Sequence, residues 1–328
     1  MPSFVTIVVP VYNVTSCLSA ALDSVMRQSR EGWKCICVDD GSRDGGADVL
    51  DAYAAKDERI QIVYQRNAGV SRARNTGICR AATEWIMFLD ADDVLREQLL
   101  EVVYTEIQRN PNTDLVQFDY IKFKDGEAIL WPEMDIQPGT LKDLTKSLCE
   151  APILAPFFVC VYRRNRLPNH LFKPYCSGED RLFLSEYLCQ ASGMVRSMYV
   201  GYAYRQRMGS AMNSPMTLRK LEHRIGYSLE WLICLSNSHK TIPRRIFRLI
   251  FNGLTESFIK DLYDLREEEQ EQGWALWYYC LGRLMKFAHI QRLWTRSVIV
   301  SCLYSRSRTL ARVLCMVPYR LKVMGLHR

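Results

Sequence analysis

The chain has 328 residues, of which 48% are hydrophobic and 24% are charged. This composition is typical of a globular protein and excludes a disordered or fibrous one, and the length allows one large domain plus a smaller one. The formal net charge of +7 comes from the end of the chain, because ten Lys and Arg residues and no acidic residue follow Glu271.

The first part of the chain alternates short apolar runs with amphipathic helical patterns. This alternation predicts an α/β fold with a mainly parallel sheet flanked by helices. Strands are predicted at residues 5–9, 35–38, 60–64, 85–89 and 115–118. Helices are predicted at about 18–26, 49–54, 69–82 and 95–110.

The rest of the chain is less regular and then becomes helical. Between residues 118 and 204 the pattern predicts a strand at 157–162 and helices at 143–150 and 180–190. After about residue 213, apolar residues recur at helical spacing, with segments at 218–232, 246–262 and 274–289. We therefore expect an α-helical C-terminal appendage over residues 213–328.

The twelve cysteines do not form the pattern of a disulfide framework. They lack CxxC spacing, and many lie in apolar runs where a free cysteine acts as a small hydrophobe. The N-terminus lacks the positive charge of a secretory signal, and no run reaches the roughly 18 apolar residues of a membrane helix. These features predict a cytoplasmic protein.

Polar clusters follow three of the predicted strands. Asp39 and Asp40 follow the second strand, the segment 65–75 follows the third, and Asp90 and Asp92 follow the fourth. The carboxyl ends of strands in an open α/β sheet are where ligands bind. The sequence therefore predicts a site at this edge.

Each cluster has a functional and a structural interpretation. Asp90 and Asp92 offer the oxygen ligands that Mg²⁺ and Mn²⁺ prefer, whereas an aspartate such as Asp93 can simply cap the next helix. An acid at the end of the second strand can accept a hydrogen bond from a ribose or a uracil, or belong to a plain turn. The helix start at Gly69, with its arginines, can meet phosphate, or its arginines can be solvated.

Taken together, the motifs resemble glycosyltransferase family 2. Their order and spacing match that family, densely over residues 4–118 and more weakly to residue 212. The motifs are Val9-Pro10-Val11-Tyr12-Asn13, Val38-Asp39-Asp40-Gly41-Ser42, Asn67-Ala68-Gly69 with Ala73-Arg74-Asn75, and Leu89-Asp90-Ala91-Asp92-Asp93. The resemblance implies a GT-A fold over residues 1–212, with a donor-binding part at 1–118 and an acceptor part at 119–212. It also implies a nucleotide-sugar donor, with UDP-sugar expected, and a divalent cation, Mn²⁺ or Mg²⁺.

The resemblance also implies residue roles. Pro10, Tyr12 and Asp40 would form the nucleoside pocket, with Tyr12 against the base, Asp40 accepting from it and Asp39 as its neighbour. Arg74 would lie near the nucleotide. Asp90 would reach the ribose or the metal, and Asp92 would bind the metal.

A second acidic motif supplies the expected catalytic base. The segment 177–183 resembles the family motif that places the base at Asp180, where it would take a proton from the acceptor hydroxyl. The alternative is that Glu179 and Asp180 only favour the positive end of a helix. Arg205 and Arg207 resemble residues of the closing segment and are candidates for contact with the diphosphate.

The basic tail completes the expectations. Apolar residues at 310, 313, 314 and 317 share one helical face near several arginines, a pattern that favours peripheral contact with an anionic membrane over a solvated helix packed on the protein. No nucleic-acid partner is expected, because no aromatic-basic stacking pattern is present.

The sequence as a whole thus predicts an inverting glycosyltransferase that acts on a glycan or lipid-linked acceptor in surface polysaccharide or lipid-linked glycan synthesis. The alternatives are a degenerate scaffold and a nucleotidyltransferase. The sequence lacks the glycine-rich loop that a nucleotidyltransferase would have after the first strand.

Overall fold

The computed structural model describes residues 2–142, 156–168, 171–175, 178–207, 215–238, 257–258 and 260–277. The chain divides into two units, one formed by Met1–Pro174 with Glu179–Ser210 and the other by Tyr175–Gly178 with Ala211–Arg328. The predicted helix at 143–150, most of the predicted helices at 246–262 and 274–289, and the basic tail lie outside the described residues.

Nine strands of the described residues form one sheet in the first unit. They are β1 Val5–Val11, β2 Trp33–Asp39, β3 Ile60–Tyr64, β4 Trp85–Phe88, β5 Val94–Leu95, β6 Leu115–Lys124, β7 Thr140–Leu141, β8 Cys160–Arg163 and β9 Met194–Gln206. Their order is β3-β2-β1-β4-β8-β6-β9-β5, with β7 beside β9. The pairs among β1 to β4 and the pair β6–β9 are parallel, while β8, β5 and β7 pair antiparallel. The predicted α/β fold with a mainly parallel sheet is confirmed.

Five helices of the described residues belong to this unit. They are α1 Thr15–Met26, α2 Gly46–Lys56, α3 Val70–Arg80, α4 Leu99–Arg109 and α5 Glu179–Gln190. The apolar runs of β1, β2 and β4 are buried almost throughout, as expected for parallel strands covered on both faces.

Two predicted boundaries are wrong. The helix predicted from residue 95 begins at Leu99, because Val94 and Leu95 pair with β9 as a short strand. Phe157–Val159 is a 3₁₀ turn, so the strand predicted at 157–162 starts only at Cys160. In both places tertiary contacts decide the conformation of an apolar segment whose sequence fits either structure.

Helix α3 lies unusually close to the sheet. A Cβ atom placed on Gly77 would stand 2.3 Å from Cγ1 of Val8, so only glycine allows this approach. Arg74 and Ile78 share the buried face of the same helix. The contact between α3 and β1 therefore fixes the position of Arg74 relative to the sheet.

In the second unit, the described residues include the long helix α6 Leu218–Asn237. It begins after Thr217, whose side chain accepts a hydrogen bond from the Lys220 amide. Arg224 of this helix forms an ion pair with Asp261 at 2.8 Å. Among the described residues, Cys17, Cys35, Cys37, Cys79 and Cys160 are free thiols. Within these ranges, no helix combines the length and hydrophobicity needed to cross a membrane.

Candidate active site

The predicted acidic residues lie where the parallel strands end. Asp39 is the last residue of β2 and pairs in register with Val11 of β1 and Tyr64 of β3. Asp90 lies two residues beyond Phe88, the last residue of β4, and β4 is parallel to β1. Both aspartates therefore lie at the carboxyl edge of the sheet, where open α/β folds bind ligands.

Asp40 is fully engaged by the loop that follows β3. Its Oδ1 accepts hydrogen bonds from Gln65 Nε2 at 2.7 Å and the Ala68 amide at 2.9 Å, and its Oδ2 accepts from the Gly69 amide at 2.8 Å. These amides begin α3, so a carboxylate already satisfies the donors that the sequence offered for phosphate contact. Both oxygens of Asp40 thus have protein partners in this structure, and its contact with a nucleoside stays a prediction.

Asp39 differs from its neighbour. Its Oδ1 accepts hydrogen bonds from the Ser42 amide at 3.1 Å and from the Ser42 hydroxyl, while its Oδ2 accepts none from the described residues. Tyr12 follows β1 at the same edge with its side chain 50% exposed, and Pro10 is buried within the strand. The edge thus presents an aromatic ring and a carboxylate oxygen.

Three carboxylates crowd the turn between β4 and β5. Asp93 is almost completely buried, and it accepts hydrogen bonds from the Tyr202 hydroxyl at 2.6 Å and the Arg205 amide at 2.7 Å. Asp93 therefore ties the turn to β9 and does not cap a helix, which corrects the structural alternative considered for it. Tyr202 also accepts from the Asp90 amide at 3.2 Å.

Two arginines at the end of β9 contact Asp92. Arg205 donates through Nε to the Asp92 carbonyl at 2.7 Å and through a guanidinium nitrogen to Asp125 at 2.8 Å. Arg207 Nε lies 2.9 Å from Oδ2 of Asp92. In this structure both arginines therefore engage the aspartates, and their contact with a diphosphate stays a prediction.

The electrostatics of this turn show an excess of negative charge. Burial and the Asp90 carboxylate raise the pKa of Asp92, although Arg207 opposes the shift. Burial and the carboxylates of Asp90 and Asp92 raise the pKa of Asp93 to about 8. A cation bound here would offset this repulsion.

The donor set fits a divalent cation. Asp90 and Asp92 each use one oxygen in an ion pair with an arginine, and the other accepts no hydrogen bond from the described residues. Mg²⁺ characteristically uses one or two carboxylates and completes its shell with substrate phosphates and water. Within the described ranges no group of three or more His, Cys, Asp or Glu residues forms a metal site of its own.

Arg74 connects this turn with the second acidic motif. Its guanidinium donates to Asp90 Oδ1 at 2.9 Å and to Glu179 Oε1 at 3.1 Å. The guanidinium lies over the rings of Phe157 and Phe172, at 4.4 and 5.3 Å from their centroids. Arg74 is thus part of the site, but its described contacts are to protein groups.

Asp180 stands beside this network, in the first turn of α5. One of its oxygens accepts from the Arg181 amide at 2.7 Å, and its carboxylate makes no other hydrogen bond with the described residues. Burial and then the charge of Asp180 raise the pKa of Glu179, so the two carboxylates are close. The predicted base thus keeps an oxygen for another partner.

The sequence analysis missed several contributors. Glu179 was considered only as a helix-end charge, yet it points inward to Arg74. Asn75 fixes the segment beneath Arg74, because its amide donates to the Phe172 carbonyl at 2.8 Å and accepts from the Phe172 amide at 2.9 Å. Tyr202 positions Asp93. The sequence holds these residue types but no local signal of such long-range partners.

The strand order, with an acidic carboxyl edge, is that of an α/β fold of the GT-A type. The family model described as Glycosyl transferase family 2 matches residues 6–167. This segment, just under half of the chain, therefore matches glycosyltransferase family 2, the family that its motifs indicated.

Proteins of known name show the same likeness. The chain is 30% identical over 129 residues to glycosyltransferase GlyG of Streptococcus pneumoniae, a match covering 39% of this chain and 42% of that protein. It is 35% identical over 153 residues to the uncharacterized glycosyltransferase EpsJ of Bacillus subtilis, covering 46% and 44%. The match therefore spans less than half the length of either relative.

A solved structure extends the likeness to the fold. The crystal structure of residues 1–349 of TarS from S. aureus, in complex with UDP, superposes with a TM-score of 0.74 at 17% identity, covering 97% of this chain and 91% of that one. A second TarS structure contains UDP-GlcNAc and gives a TM-score of 0.68 at 18% identity, covering 87% and 81%. At this identity the likeness establishes the GT-A fold.

Proposed function

We propose that this protein transfers a sugar from a nucleotide diphosphate donor to an acceptor hydroxyl, with inversion at the anomeric carbon. The observation that carries the proposal is the joining of the donor-side aspartate Asp90 to the α5 start that holds Asp180, through the single side chain of Arg74. The match of residues 6–167 to family 2 supports transfer from a nucleotide sugar. The fold shared with TarS, which is solved with UDP, supports a UDP-sugar as the donor.

The nucleoside would be held at the end of β1 and β2. Tyr12 offers its exposed ring to the base, and Pro10 shapes the strand end behind it. Asp39, with Oδ2 open, would accept from the base or ribose, while Asp40 supports the site by holding the start of α3. The donor-contacting carboxylate is thereby assigned to Asp39 instead of Asp40.

The diphosphate would be held beside Asp90 and Asp92. These residues would bind Mn²⁺ or Mg²⁺, which neutralises the charge that develops on a departing diphosphate. Arg207, the nearest cation to Asp92, stands where it can meet the same phosphates. The arrangement combines two carboxylates and one guanidinium around the leaving group.

Asp180 would act as the general base. A carboxylate within hydrogen-bond reach of the acceptor hydroxyl takes its proton as the oxygen attacks the anomeric carbon. Asp180 would meet the acceptor on the face of the sugar opposite the departing diphosphate. Attack from that face would invert the configuration of the anomeric carbon.

The acceptor and the location are inferred more indirectly. The resemblance to family 2 implies a glycan or lipid-linked acceptor in the synthesis of a cell-surface polysaccharide. A similar protein of Bacillus subtilis, the putative teichuronic acid biosynthesis glycosyltransferase TuaG, supports this expectation. The basic residues after Glu271 would hold the protein peripherally on the cytoplasmic face of the membrane. Sedimentation with vesicles of anionic and of neutral lipid tests this: binding to anionic vesicles only, lost in high salt, supports it, and equal partition in both contradicts it.

The class of reaction is tested with a panel of nucleotide sugars. Binding and slow hydrolysis are measured for UDP-, GDP- and other nucleotide-linked sugars, with Mn²⁺, with Mg²⁺ and with EDTA. Metal-dependent hydrolysis of one UDP-sugar supports the proposal and identifies the sugar. A folded protein that binds no donor contradicts it and favours the scaffold alternative.

A further inference from the structure

Arg74 is held more firmly than a ligand-binding arginine needs to be. The side chain is 5% exposed, and two of its nitrogens are committed to Asp90 and Glu179. Its Nε is buried and has no hydrogen-bond partner among the described residues. A guanidinium in this state presents no free, solvent-facing fork to a phosphate.

Burial does not neutralise the Arg74 guanidinium. Burial disfavours the charged form, but the carboxylates of Asp90 and Glu179 outweigh burial and raise the pKa of Arg74. Buried ion pairs are weak contributors to stability, because desolvation offsets their attraction. Packing alone therefore gives little reason to place an arginine here.

The surroundings fix the position of Arg74 from several sides. Gly77, one turn further along α3, allows the helix to sit against Val8. Asn75 binds the backbone of Phe172 in both directions, and the Phe172 ring lies beside the guanidinium. Since α3 and the segment at 172 are both tied down, the guanidinium has a defined place between the two acidic motifs.

The partner of Arg74 on the far side is the residue next to the proposed base. Glu179 and Asp180 are the first two residues of α5, so a contact that holds the Glu179 carboxylate also sets the direction of the Asp180 side chain. On the near side, Arg74 occupies one oxygen of Asp90. One side chain therefore sets the positions of a donor-side and an acceptor-side carboxylate.

We propose that Arg74 is a positioning residue, which orients Asp90 and, through Glu179, the helix start that carries Asp180, and that it is not a ligand of the nucleotide. The inference rests on the proposed function, because it takes Asp180 as the base. In place of the nucleotide contact expected for Arg74, it gives Arg74 the role of linking the Asp90 carboxylate to the start of the helix that carries Asp180.

The discriminating variant is Glu179→Ala, which removes the link without touching the donor side. Three quantities are measured with Mn²⁺ present: the Kd for UDP, the rate of UDP release from UDP-GlcNAc or from the donor that the panel selects, and amide hydrogen exchange over residues 179–183. We expect an unchanged Kd, a turnover lower by about tenfold or more, and faster exchange. Glu179→Gln should recover part of the rate, because its amide oxygen still accepts from Arg74.

Glu106→Ala provides the matched control. Glu106 is also a buried helical glutamate with an arginine partner, Arg109 at 3.4 Å, but it lies in α4 away from the site. We expect it to lose stability while keeping turnover and exchange at 179–183. If Glu179→Ala does not fold, Glu179→Asp replaces it, because the shorter side chain draws the carboxylate away from Arg74 and leaves the Arg74–Asp90 pair in place. A turnover loss with UDP affinity kept is again expected.

Two results would overturn the inference. Unchanged exchange at 179–183 in Glu179→Ala, or in Glu179→Asp where that variant is used, excludes a positioning role whatever the donor. A loss of turnover that only mirrors a weaker UDP Kd identifies Arg74 and Glu179 as nucleotide-binding groups. Failure of the proposed function gives a different result, because the unmodified protein would then neither bind UDP nor release it from any donor.

Discussion

The carboxylate of Asp40 accepts a hydrogen bond from the amide of Gly69 at 2.8 Å, and so joins the end of β2 to the first turn of α3. Gly69 has a φ of 88°, a conformation that favours glycine, and this backbone directs its N–H at the acid. The adjacent acid, Asp39, lacks such a commitment on Oδ2. Two neighbouring aspartates of one motif thus have different tasks, one structural and one open to a ligand.

Asn substitution at each aspartate separates these tasks. Asp40→Asn loses a charged acceptor that serves two backbone amides and Gln65, and the free energy of unfolding should fall by roughly 2–3 kcal/mol. Asp39→Asn keeps an oxygen for Ser42, so its stability should change less, but its Kd for UDP should rise about tenfold, which is about 1.4 kcal/mol. Urea unfolding and calorimetric titration measure the two effects. Equal loss of UDP affinity in both variants would contradict the assignment.

Metal dependence is predicted to follow Asp92. EDTA should abolish UDP binding by the unmodified protein, and Asp92→Asn should reduce the effect of added Mn²⁺ on UDP affinity by about tenfold or more. Its thermal unfolding should stay close to that of the unmodified protein, because the substitution relieves repulsion from Asp90 while losing one partly exposed ion pair. The control is Asp125→Asn, an exposed carboxylate that pairs with Arg205. Undiminished Mn²⁺ response in Asp92→Asn would remove Asp92 from the metal site.

The close approach of α3 to β1 is tested at Gly77. Gly77→Ala places a methyl group 2.3 Å from Val8 Cγ1, and overpacking of this kind should destabilise the protein by about 1–3 kcal/mol. Val8→Ala makes room for that methyl group, so the double variant should be less destabilised than the sum of the single ones. Strict additivity in chemical denaturation would show that the two residues are not in contact.

The stability of the second unit is predicted to depend on pH through Asp261. Burial raises the pKa of Asp261 to about 6, although Arg224 opposes the shift. Its Oδ2 has no hydrogen-bond partner in the part of the chain that the structure describes. An unfolded aspartate titrates near about 3.9, so the folded form binds the extra proton, and stability should fall as the pH rises from about 4 to about 6. Asp261→Asn should flatten this part of the curve. A variant destabilised equally at both ends of that range would contradict the assignment.

The sequence was sufficient to predict the fold and the edge that carries the site. Continuous apolar strands such as Val5–Val11 and turns rich in aspartate are local patterns, and parallel pairing brings their carboxyl ends together. The partners of the acids were not predictable. Asp40 and Gly69 are 29 residues apart, and Arg74 and Glu179 are 105 apart, so no local pattern connects them.

Where the sequence analysis failed, competing contacts decided. Asp93 precedes what looks like a helix, but pairing of Val94 with β9 delays that helix and turns Asp93 towards Tyr202. Asp39 and Asp40 are equivalent in the motif. Only the path of the loop to Gly69 shows that it is the Asp40 carboxylate that accepts the backbone hydrogen bonds. Such choices depend on tertiary packing, which residue spacing does not encode.

The central claim is best tested by comparing donor binding and donor turnover in the unmodified protein and in Asp180→Asn, with Mn²⁺ and the donor that the panel selects. The account predicts that both proteins bind the donor with the same Kd, and that Asp180→Asn releases the nucleotide more slowly by about 100-fold or more, because the base is lost. Turnover by Asp180→Asn at the unmodified rate, or absence of nucleotide release from both proteins, would contradict it.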